Sequence, residues 1–174
     1  MAGLLLLLPF VAVSCEAPGG YGRGAAGTTT TYTGMDLVTG DEPAVGPPDR
    51  LLPPEQRRDD TLGVRPLAVA ALLLIVIALV VSIGLVTPAR RRGATIVLAG
   101  LAALSIVAEQ VTVRALLISR LREQLTTPLP AGKQVGDYVQ TQPGFWLCLF
   151  VLIAITAANG VGLLHAGRRR RPAG

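Results

Sequence analysis

Uncharged apolar runs set the layout of the chain. Residues 66–89 and 144–167 each contain 24 residues without a formal charge. Residues 93–108 form a third run, followed by Glu109 and then by Val111 to Val113. A helix needs about 20 apolar residues to cross a bilayer, so each run is long enough or close to it. The expected spans are residues 66–89, 94–113 and 144–167, with Pro66 in the first turn of the first and Pro88 near its end. The middle helix is expected to run on as an amphipathic stretch to Leu125.

A shorter apolar segment, Gly3 to Ser14, opens the chain and ends at Cys15. Its 12 residues would reach about 18 Å as a helix, short of a ~30 Å hydrocarbon core. Residues 1–15 are therefore read as a first span or as the apolar core of a signal. No basic residue precedes the run, which departs from the usual signal pattern.

The connections differ in character. Residues 16–65 are rich in Gly, Pro and Thr and carry eight acidic and five basic side chains. Thr28 to Leu37 is rich in β-formers, and with Gly34 and Gly40 as turn residues it predicts a small hairpin. The prolines of 45–54 predict extended chain. An irregular outer loop with little core is expected. Residues 90–93 form a short turn, 114–143 a second long loop and 168–174 a tail.

Charge orients these segments. Arg90 to Arg92 and Arg168 to Arg171 contain no acidic residue and follow long apolar runs, which places them in the cytoplasm by the positive-inside rule. The long loops mix both signs and are assigned to the outside. The second long loop opposes this in part, with four basic residues against Glu123 and Asp137. Phe145 and Trp146 at the outer end of the last span suit an interfacial aromatic belt.

Composition agrees with a membrane location. The 174 residues are 51% hydrophobic and 16% charged, and mean hydropathy is +0.53. The net charge of +5 comes largely from the two arginine runs. Their position beside apolar spans argues for membrane topology and against nucleic-acid binding.

Few residues carry candidate chemistry. Glu109 is the one acid within an expected span, where a charge is costly and calls for a partner or a function. Counted along its helix it lies near the outer interface, and Arg65 opens the preceding span on the same side. Arg65 and Glu109 are thus a candidate ion pair, and a snorkelling or paired acid is the reading favoured over an ion path. Cys15 follows Ala12-Val13-Ser14 in a sequence like a lipidation signal. Cys148 would lie at similar depth near the outer side, so a Cys15–Cys148 disulfide is the other option for the two thiols. Ser82, Thr95 and Asn159 fall in the inner third of their spans and predict interhelical hydrogen bonds. Ala154, Ala158, Gly162 and Ala166 recur every four residues, a spacing that lets helices approach closely within the chain or against a partner. Gly22, Gly24 and Gly27 match a nucleotide-loop pattern by letter but lack the flanking strand and helix. No catalytic constellation, metal-ligand spacing or cofactor motif occurs.

Three segments carry a resemblance: Leu8-Pro9-Phe10 through Val13-Ser14-Cys15; Tyr32-Thr33-Gly34-Met35-Asp36-Leu37 with Gly40; and Pro143-Gly144-Phe145-Trp146-Leu147. They resemble uncharacterised four-span membrane proteins of high-GC actinobacteria. The resemblance implies a retained first helix ending near Cys15, and no activity.

The expected fold is an all-α bundle of four transmembrane helices, three of them resting on long uncharged runs, with both termini cytoplasmic. Its expected role is that of a non-enzymatic accessory or scaffold protein of the cell membrane, without cofactor. Lipids and a membrane-protein partner or a second copy are the expected contacts. A small transporter or channel subunit using Glu109, and an envelope protein lipidated at Cys15, are the alternatives.

Overall fold

The computed structural model describes residues 6–14, 29–43, 62–84, 87–124, 129 and 131–169. Their order is β1 (Pro9–Ser14), β2 (Thr29–Thr33), α1 (Gly34–Thr39), α2 (Pro66–Gly84), α3 (Pro88–Gln124), a 3-10 turn (Val135–Tyr138), β3 (Val139–Thr141) and α4 (Pro143–Arg169). Three of these helices are long and apolar enough to cross a membrane.

The first apolar segment corrects the expected count of four helical spans. Pro9–Ser14 is a strand, the central one of a three-stranded sheet ordered β2-β1-β3. Both pairings are antiparallel, with Val11 opposite Tyr32 and Thr141, and Val13 opposite Thr30 and Val139. A strand covered on both faces needs apolar residues at every position, so it reads as a continuous run and not as an alternation. Phe10, Val11, Ala12 and Val13 are indeed all buried.

The expected hairpin within Thr28–Leu37 is also replaced. Thr29–Thr33 pairs with β1, and the chain then turns into α1. A reciprocal capping box starts this helix: the Thr33 hydroxyl accepts from Asp36 N at 3.1 Å, and the Asp36 carboxylate accepts from Thr33 N at 2.7 Å. Gly40 closes it with φ 76°, a left-handed conformation that favours glycine. The described residues of these segments therefore build a folded cap with its own core, in which Val11, Val13, Leu117 and Leu121 are fully buried. For the described residues this corrects the expected loop with little core, because the core draws on segments of both loops and on the end of a helix.

Helix α3 organises the rest. Its 37 residues measure about 55 Å, well beyond the apolar thickness of a bilayer. It begins at Pro88, so Arg90 to Arg92 form its first turn and not a separate connection. Proline fits the first helical position because that N–H has no intrahelical partner. Thr95, Ala99, Ala102, Ile106, Glu109, Val113, Leu117 and Leu121 are all buried. Their spacing of three or four residues makes one continuous stripe along the helix. Helices α2 and α4 pack on α3 and hardly touch each other, so α3 is the middle of a three-helix layer. Alanines at the contacts (Ala68, Ala71, Ala99 and Ala102) let the backbones approach closely. Leu73, Val76, Leu79, Val80 and Ile83 on α2, with Phe150, Ile153 and Leu164 on α4, point outward.

Candidate functional site: the junction of cap and helices

The polar groups that sequence singles out meet where the sheet sits on the helices. Arg65 is positioned by its backbone: its N–H donates to Leu37 O at 2.9 Å, and its carbonyl accepts from Val69 N at 3.1 Å. The end of α1 is thereby tied to the start of α2. Its side chain reaches α3, where Nε donates to Glu109 Oε1 at 2.8 Å. Glu109 lies about 25 Å along α3 from Arg92 and faces the buried stripe. An ionised acid at such a place is tolerated when it is paired, and Arg65 supplies the pair.

Gln110 extends the cluster on the other side. Its amide Nε2 donates to Thr141 Oγ1 at 3.0 Å, linking α3 to β3. Neither Gln110 nor Thr141 stands out in the sequence. The cue for Gln110 is its adjacency to Glu109 in an otherwise apolar run, where a second polar side chain also calls for a partner. Glu109 and Gln110 line a small cavity together with Leu6, Phe10, Gly34, Leu37, Ala68, Ala71 and Ile106. The cavity has space for roughly one water molecule.

The last helix docks against β1 at the same level. Gln142 N donates to Phe10 O at 2.9 Å, and the Phe10 and Phe145 rings pack edge to face with centroids 6.3 Å apart. Gly144 faces the backbone of Leu8 and Pro9 so closely that a Cβ there would fall 2.7 Å from Leu8 Cβ. Phe145 also packs edge to face on Trp146, which is exposed beside the cap.

The remaining sequence-selected residues are not part of this junction. Cys148 is a free thiol and fully buried; Cys15, with the disulfide and the lipidation weighed for it, lies outside the described residues. Ser82 Oγ and Thr95 Oγ1 are 3.2 Å apart across α2 and α3, near the opposite end of the layer. Asn159 differs from the interhelical role expected of it: its amide donates to Ile155 O of its own helix at 2.8 Å. Gly162 takes part in an interhelical contact, since its carbonyl accepts from Arg92 Nη1 at 2.7 Å. Ala154, Ala158 and Ala166 of the small-residue face are exposed.

Chemically, the junction can neutralise a buried charge and tie cap to helices. Among the described residues, no group of three His, Cys, Asp or Glu side chains is placed to hold a metal ion. Compared with protein-family models, with curated proteins and with solved structures, the chain finds no match.

Proposed function

We propose that this chain is an integral protein of the cell membrane that works as a non-enzymatic accessory or scaffold, presenting its sheet-bearing cap on the outer side. The observation that carries this reading is the cap itself. Residues far apart in sequence build a small folded unit whose central strand is buried on both faces. That unit is fastened to α2, α3 and α4 by separate contacts, which suits a surface held in fixed orientation for a partner. The basic run Arg90 to Arg92 lies at the end of α3 away from the cap, which supports a cytoplasmic position for that end and for the C-terminus.

The alternative of transport rests on Glu109. Its carboxylate is engaged by Arg65 at the boundary between helices and cap, which favours a structural role for that acid. The test is affinity purification of the tagged full chain from native membranes in mild detergent, with mass spectrometry of what co-purifies. A defined membrane or envelope protein at near-equal yield is expected, and its recovery should fall when cap residues are changed. Recovery of the chain alone would count against the accessory role, and a flux assay on Glu109→Gln would then decide for or against transport.

A further inference from the structure

Two buried oxygens at the junction have no hydrogen-bond donor among the described residues. They are Glu109 Oε2 and Gln110 Oε1. Their residues are 4% and 8% exposed, and both line the same cavity. Among the described residues, the other lining side chains are hydrocarbon: Leu6, Phe10, Leu37, Ala68, Ala71 and Ile106. None of these can donate a hydrogen bond. An acceptor taken out of water without a donor is strongly disfavoured, and the great majority of such groups in folded proteins are satisfied by protein or by ordered water.

Size and charge select the occupant. The space accommodates about one water-sized group. The carboxylate of Glu109 is already balanced by the Arg65 guanidinium, and the Gln110 amide is neutral. The cluster therefore has no net charge to attract a cation, and it offers two acceptors to a neutral double donor. We propose that the cavity binds a single water molecule that donates one O–H to Glu109 Oε2 and the other to Gln110 Oε1. The water completes a chain of hydrogen bonds from Arg65 through Glu109 and Gln110 to Thr141. That chain runs from the residue that precedes α2 through α3 to β3, and it ties the cap to the helices through otherwise apolar surroundings. Gln110 is then a positioning residue that holds the water on one side and β3 on the other. The site stands whatever the cap recognises.

The test uses the isotope-labelled full chain in phosphatidylcholine nanodiscs. Water-to-protein cross-relaxation is measured at the Gln110 side-chain amide and at Arg65 Nε–H. A long-lived water contact at both groups is expected, and it should be the same in sodium and in N-methylglucamine buffers. In Gln110→Met, which removes one of the two acceptors, the contact at Arg65 should disappear while the helical circular dichroism is retained. Absence of a long-lived water in the unmodified chain would overturn the proposal without recourse to a variant. A reversed Gln110 amide with Nε2 directed at Glu109, a contact that changes with the monovalent cation, or one that persists in Gln110→Met would overturn it equally.

Discussion

Arg65 and Glu109 form an unequal pair: Nε to Oε1 is 2.8 Å, but the arginine side chain is 18% exposed and the glutamate 5%. Arginine has a long stem and can turn its head to the interface when its partner is lost. Glutamate on the buried stripe of α3 has no such exit. Removing one member of a buried pair costs mainly through the charge left behind. Arg65→Ala is therefore expected to destabilise by about 3 kcal/mol and Glu109→Gln by about 1 kcal/mol. Unfolding midpoints in detergent micelles check the order, and an equal or reversed ranking would contradict the geometry.

The capping box of α1 makes a smaller, local prediction. Thr33→Val keeps the shape of the side chain but loses the acceptor for Asp36 N. A lost cap of this kind costs about 1 kcal/mol. The effect should be confined to the cap: amide hydrogen exchange across 34–39 is expected to accelerate roughly fivefold by that energy, while α2 and α4 keep their protection. Faster exchange throughout α2 would mean that α1 supports the helices more than the contacts indicate.

The long helices were legible because lipid demands unbroken apolar runs, and 66–89 and 144–167 meet that demand without ambiguity. The ends were less so. Pro88 can stop one helix or start the next, and only the packing of α3 decides for the latter. Strand β1 was obscured for a specific reason: a short, fully apolar run fits a doubly covered strand and a buried helix equally well by periodicity. Pro9 and the Phe-Val-Ala-Val sequence were the available hints, since β-branched and aromatic residues favour strands. The Arg65–Glu109 contact was readable from topology alone, because both fall at the same end of adjacent antiparallel helices. Thr141 as partner of Gln110 was not, because β3 exists only by pairing with a strand more than a hundred residues earlier.

The cap core can be tested through Leu117, which is fully buried although it lies on α3 beyond the expected span. Leu117→Ala removes several methyl and methylene groups from packed surroundings, at a cost of about 2 to 5 kcal/mol. If the upper third of α3 belongs to the cap, the loss should appear as proteolytic sensitivity near 129–138, with membrane extraction behaviour unchanged. Were this part of the helix a free extension, the substitution would change neither.

Gly144 and Gly160 both lie in α4 and give the sharpest contrast. An alanine at position 160 meets no atom within 4 Å. Replacing a helical glycine there restricts the unfolded chain, so Gly160→Ala is expected to stabilise by up to about 1 kcal/mol. At position 144 the same methyl group would strike the backbone carbonyl of Pro9 and the Leu8 side chain. The obstacle is partly backbone of the central strand, which cannot rotate away as a side chain can. Overpacking of this kind costs about 1 to 3 kcal/mol, because α4 or β1 must shift. Gly144→Ala should therefore lower the unfolding midpoint in detergent while Gly160→Ala leaves it equal or higher. The loss at 144 should come with a changed Trp146 fluorescence, since that ring packs edge to face on Phe145 with centroids 5.1 Å apart. If both variants behave alike, α4 does not dock on β1 through Gly144.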